Sequence, residues 1–151
     1  MVTASGICVM VVMMISGAPD VAPLSLQYWV VEGSREGRET PFYDGDAQRV
    51  RDALEDLRFD TFRTLKRQTM RLRPNQDSRI PLKDRYTLVL RFGGREPDGR
   101  ARVAATVELA AKEPDTPPKT VVQTNLLLSK EKARIGGLRT ETGELILIFA
   151  T

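Results

Sequence analysis

The sequence predicts an α+β or mainly-β domain, with one helix packed on roughly five to seven mostly antiparallel strands as a sandwich or half-barrel. Three observations carry this reading. Short segments rich in aromatic and β-branched residues recur along the chain with period-two alternation. Turn chemistry at Gly93-Gly94, Pro97-Asp98-Gly99 and Gly136-Gly137 punctuates the second half. Only one stretch, from Ala47 to Leu57, repeats apolar residues at the three- and four-residue steps of a helix. The 151 residues, 41% hydrophobic and 28% charged, suit one globular domain large enough to bury a core.

The chain opens on an uninterrupted apolar run, Ile7 to Ile15, followed by the small residues Ser16-Gly17-Ala18 and then Pro19. Such a run is too short to cross a bilayer as a helix. Its length and the small residues after it match a signal-peptide core and cleavage region, although no Lys or Arg precedes it. Residues 1–22 therefore read as an export leader, residues 23–151 as the domain, and the location as the bacterial periplasm or outside the cell. A buried N-terminal strand or helix is the alternative.

Leu24 to Val31 reads as the first strand, with Leu24, Leu26, Tyr28 and Val30 on one face and Trp29 and Val31 on the other. A polar loop follows. Asp44 or Asp46 then caps a helix of about three turns. It would bury Ala47, Val50, Leu54 and Leu57 and turn Arg49, Arg51, Asp52, Glu55 and Asp56 to water. Thr61 to Leu72 reads as one long, partly exposed strand. The crossover between these strands is long enough for parallel pairing. Tyr86–Phe92 and Arg102–Leu109 make the clearest hairpin, with Leu88, Leu90, Val103, Ala105 and Val107 facing the core. A Pro-rich linker, Glu113 to Lys119, leads to Thr120–Leu128. Lys130–Leu138 is a short strand closing on Gly136-Gly137 as a turn, and Glu144–Ala150 is a buried last strand.

The composition removes whole classes of chemistry. Histidine is absent and Cys8, inside the leader, is the single cysteine. Histidine-based triads, histidine-ligated zinc, thiol catalysis and disulfides fall away from the mature chain. No cofactor and no metal centre is expected, and a non-enzymatic protein is favoured. A carboxylate-only hydrolase acting on an envelope polymer is the enzymatic alternative. Asp52, Glu55 and Asp56, however, lie on a solvated helix face, where nothing raises one pKa as glycosidases require. Asp44-Gly45-Asp46 opens like a calcium loop, but the later ligands do not follow, so capping is the simpler role. A second alternative is a carrier of a small apolar ligand, with a pocket between helix and sheet lined by Trp29 and Phe59.

The surface that suggests a partner is a basic strip. Arg63, Lys66, Arg67, Arg71 and Arg73 come with no acid between them, and strand alternation puts Arg63, Arg67, Arg71 and Arg73 on one face with Lys66 opposite. It suits an anionic envelope polymer, or it guards a sheet edge against edge-to-edge pairing. With only Phe62 nearby to stack on bases, nucleic acid is not expected. The other partner the sequence suggests is a second envelope protein paired at a sheet edge. No transmembrane span is expected.

Ala133-Arg134-Ile135-Gly136-Gly137-Leu138 is similar to the Ile-Gly-Gly-Leu strand-turn of secretins, the outer-membrane channels of bacterial secretion systems. It covers a few residues only; the long channel-forming sheet and ring domains are missing. The overall layout resembles uncharacterised exported proteins of envelope-rich bacteria. The resemblance implies an envelope location and no activity. Export has a direct check: mass spectrometry of the native protein should find an N-terminus between Ala18 and Leu26 in an extracytoplasmic fraction, and a cytosolic species retaining Met1 would refute it.

Overall fold

The computed structural model describes residues 21–151. The apolar run Ile7–Ile15 and the small residues Ser16-Gly17-Ala18, on which the export expectation rests, lie outside them. The described chain forms two sheets packed face to face, mostly antiparallel and not closed into a barrel. The first sheet has the order β2-β3-β1-β9-β8, with β1 Leu24–Ser34, β2 Phe42–Tyr43, β3 Thr61–Leu72, β8 Ala133–Arg139 and β9 Glu144–Ala150. The second has the order β4-β5-β6-β7, with β4 Asp77–Pro81, β5 Tyr86–Arg95, β6 Ala101–Leu109 and β7 Lys119–Leu128. The sandwich is the expected one, enlarged by the short strands β2 and β4, which are too brief to show a periodic pattern. Among the described residues, no helix is long and apolar enough to cross a membrane.

The main core fills the space between the sheets. Leu24, Leu26, Tyr28 and Val30 enter it from β1, Leu145, Leu147 and Phe149 from β9, and Leu88, Leu90, Phe92, Val103, Ala105 and Val107 from β5 and β6. A second, smaller core lies on the outer face of the first sheet. There Trp29, Val31, Phe62, Ile146 and Ile148 meet Tyr43, Ala47, Val50 and Leu54. Both faces of β1 and β9 are thus covered, which explains why ELILIFA is an almost unbroken apolar run.

The connection between β1 and β3 departs from expectation. The two strands pair antiparallel, Ser34 opposite Thr61 and Leu24 opposite Leu72, and only β2 runs parallel to β3. Residues 35–60 are therefore an excursion that leaves and rejoins the same hairpin end. The helix on it is short: α1 spans Gly45–Gln48, and a 3-10 turn follows at Arg51–Ala53. Val50 N–H bonds Ala47 C=O and Ala53 N–H bonds Val50 C=O, a three-residue repeat in place of four. A helix of three turns has little stability of its own, so burial decides the path. Ala47, Val50 and Leu54 reach the sheet fully buried, as the periodicity implies.

Gly93-Gly94 and Gly136-Gly137 are not turns. Each pair sits inside a strand where register slips, between Phe92 and Arg95 in β5 and between Ile135 and Leu138 in β8. Gly94 (φ 102°) and Gly137 (φ 87°) supply the positive φ of a bulge, a conformation as glycine-dependent as a turn and indistinguishable from one in sequence. At the opposite extreme of crowding, a methyl group on Gly143 would collide with the Gly33 carbonyl oxygen, and one on Gly33 would lie 2.7 Å from the Phe59 ring.

Leu90 is fully buried between the sheets. Leu90→Ala should therefore lower stability by about 2–5 kcal/mol in denaturant melts; a loss below about 0.5 kcal/mol would show that this face of β5 is not core.

Candidate functional site

The basic strip lies on β3, whose two sides differ along its length. One side pairs with β1 throughout. On the other, β2 covers only Thr61 and Phe62. Asp44 extends the cover by one step: its N–H donates to Phe62 C=O, while its carboxylate accepts from Thr64 N–H (2.5 Å), the Thr64 hydroxyl (2.9 Å) and Ala47 N–H (2.8 Å). One side chain thus caps the helix and stands in for the next residue of a neighbouring strand. Among the described residues, nothing pairs with β3 on this side from Lys66 to Leu72.

The strip does not hold together as one face. Val31 is opposite Thr64 and Val30 opposite Lys66, so Leu65 is an extra residue that shifts the alternation of β3 by one. Arg67 and Arg71, opposite Trp29 and Ser25, take the outer face; Arg63, opposite Glu32, takes the other. Arg73 lies beyond the end of β3. The expected single face of four arginines is therefore corrected to two arginines on one face, one on the other and one past the strand. Lys66, opposite Val30, keeps to the face away from Arg67.

Neighbours divide the strip further. Arg63 Nη1 donates to Glu36 Oε1 at 2.8 Å, and its guanidinium lies 5.9 Å from the Phe42 ring centre, which Arg38 also approaches at 4.9 Å. The Arg63 and Thr61 hydrogen bonds hold Glu36 below the usual carboxylate range. Arg67 lies 5.7 Å over the Trp29 ring and bonds Asp46 at 3.2 Å. Lys66, Arg71 and Arg73 make no ion pair among the described residues.

Beside the open edge, Val30, Leu65, Lys66, Pro81, Leu82 and Lys83 line a depression of about 150 Å³, and Leu65 is 46% exposed. Sequence reasoning missed this feature and Asp44's second role. The apolar residues Phe62, Met70 and Leu72 keep one parity across the bulge, so nothing in the pattern betrays it. The helix acids are exposed, as expected, and two of them also carry a cationic partner. Asp52 pairs with Lys132 (3.0 Å) and Asp56 with Arg134 (2.6 Å), tying the excursion to the β8 side of the sheet. Trp29 and Phe59 are packing residues of the outer core, Phe59 edge-on to Phe62 at 6.2 Å. The Trp29 indole N–H is buried without a hydrogen-bond partner among the described residues.

The excursion is fixed at its base by Asp60, whose carboxylate accepts from the backbone N–H groups of Glu36 (2.8 Å), Gly37 (2.8 Å) and Arg38 (3.1 Å). These bonds, Glu36 N–H foremost, lower its pKa from 3.8 to about 2. Comparisons of the chain with protein-family models, curated protein sequences and solved structures find no match.

A depressed folded-state pKa contributes stability that is present above about 3.8, the unfolded value, and lost as pH falls through about 2. Asp60→Asn should melt below the wild type at neutral pH, and the gap should close between pH 4 and pH 2. A gap that is the same at both ends of that window would refute the role.

Proposed function

We propose that this chain is a non-enzymatic binding or assembly module of the bacterial envelope, which takes an extended segment of a partner protein onto the open edge of β3. The observation that carries the reading is the unpaired stretch Lys66–Leu72, a row of backbone donors and acceptors next to a strand already fixed in register by β1. Main-chain bonds to such an edge supply affinity, and pockets for alternate side chains supply specificity. The depression at Leu65, Pro81 and Leu82 suits one apolar side chain of the incoming strand. Arg67 and Arg71, exposed on the outer face, suit two acidic side chains four positions apart on the incoming strand. A strip divided between faces and partly neutralised by Glu36 and Asp46 favours this partner over a long anionic polymer, which needs continuous positive charge.

The test uses a synthetic extended peptide alternating Glu with Val and Leu. Binding should protect from hydrogen exchange the alternate amides of residues 66–72 that face the open edge, and should vanish when alternate peptide amides are N-methylated. Arg67→Gln with Arg71→Gln should weaken it by roughly two- to thirtyfold, the loss of two exposed ion pairs at about 0.2–1 kcal/mol each. Binding that follows charge alone and leaves those amides unprotected would replace this reading with an anionic polymer.

A further inference from the structure

The sandwich has a second open edge of different character. We infer that β7 is a self-association edge, at which two copies of this chain pair antiparallel about a two-fold axis and join their four-stranded sheets into one. This surface is separate from the β3 edge.

The contrast among edges is the first argument. Sheet proteins guard free edges with charge, proline, bulges or short length. Here β4 is short and carries Asp77, Arg79 and Pro81; β8 is bulged at Gly136-Gly137 and carries Arg134 and Arg139; β3 is partly covered and cationic. β7 has none of the charge or proline guards from Thr120 to Leu128: TVVQTNLLL contains no ionisable residue, no proline and no glycine. Among the described residues, β6 pairs with one side of it and nothing pairs with the other. Two of the exposed large apolar side chains of the chain, Val121 (37%) and Leu127 (46%), lie on it.

Register supplies the second argument and selects the occupant. Along a strand, the side-chain face and the direction of the backbone N–H both alternate with period two. An antiparallel self-pair satisfies both alternations only when the two-fold axis passes through a residue. Centring it on Thr124 places Val122 opposite Leu126 on the core side, where both already pack against the main core. The same register sets Gln123 opposite Asn125 on the outer side, two side-chain amides able to bond one another. It also brings Val121, the extra residue of the bulge opposite Val107 and Glu108, to Leu127 of the other copy. Lys119 falls opposite Ser129, so no like charges face each other. Centring on Gln123 or Asn125 instead would leave Lys119 against Leu127 or Lys130 against Thr120. A single strand pair buries less than the 1,200–2,000 Å² of a typical stable interface, so the association should depend on concentration.

Sedimentation equilibrium of the full chain across a range of concentrations is the test, with three proteins compared. Wild type should pass from monomer to dimer as concentration rises, with little dependence on salt. Gln123→Lys with Asn125→Lys, both at exposed positions, should be monomeric throughout, because the Thr124-centred register sets lysine against lysine. Gln123→Lys with Asn125→Glu should restore the dimer, since each lysine then faces a glutamate; in a register centred on either residue the new charge would face itself. Equal melting temperatures at a concentration low enough for all three to be monomeric show that all three fold. A wild type that stays monomeric at every concentration overturns the inference, and protection from exchange of the alternate β7 amides that point away from β6 would then assign the edge to another segment of this chain. A dimer unaffected by the two lysines, or one that the lysine–glutamate pair fails to restore, overturns it equally.

Discussion

The structure depends on the pairing of the first described strand with the last. β1 lies between β3 and β9 in the middle of the larger sheet, with Gln27 opposite Ala150 and Gly33 opposite Glu144. Without β9, β1 would have an open edge and both cores would lack a wall: Leu145, Leu147 and Phe149 face one, Ile146 and Ile148 the other. Pairing β1 with β9 closes a long loop, which costs chain entropy that burial of β9 must offset. β9 is bonded by β1 on one side and β8 on the other and is buried on both faces, and it is apolar without interruption from Leu145 to Phe149.

Polar groups then fix what apolar burial leaves free. At one end of the sandwich Glu32, on β1, accepts from Lys83 (2.9 Å), Thr140 (3.1 Å) and Thr142 (2.9 Å), linking the β4–β5 turn to the β8–β9 turn across the gap between sheets. Burial pushes the Glu32 carboxyl up, but the hydrogen bonds from Lys83, Thr142 and Thr140 outweigh it and hold the group below its ordinary range. The same turn carries Asp84 and Arg85 at φ 57° and 65°, a conformation that costs free energy for residues with a side chain. It is held from both sides, by Asp84 accepting from Glu141 N–H and by Arg85 donating to Ala110 C=O. Hydrophobic burial is non-directional, and these bonds set how one sheet is aligned over the other.

The parts of this fold legible in the sequence are those where one face alone is buried or where a strand is buried on both. The β5–β6 hairpin and the two faces of β1 follow directly from alternation. What escaped is of another kind. Bulges insert one residue without changing composition: the double glycines read as turns, and Leu65 leaves no mark, because both faces of the larger sheet accept apolar side chains and either phase of β3 looks acceptable. The antiparallel return from β1 to β3 escaped because loop length permits either direction and only the pairing of Ser34 with Thr61 decides. For the candidate site, the cationic residues were visible and their division between faces was not.

That division matters for what the surface can do. A single inserted residue turns a run of like charges, which would repel one another on one face, into two arginines at Arg67 and Arg71 and a separate one at Arg63 already neutralised by Glu36. The electrostatic cost of placing so much charge on one strand falls, and with it the capacity to act as a continuous polyanion track. What the bulge leaves exposed instead is backbone. Immediately past Leu65 the cover provided by β2 and Asp44 ends, and the strand continues to Leu72 with one side unoccupied. A bulge that terminates pairing at one place and re-aims side chains at the next is a frequent device at sheet edges. Here it falls where the cover from β2 and Asp44 ends, and beyond it β3 is held by β1 alone among the described residues.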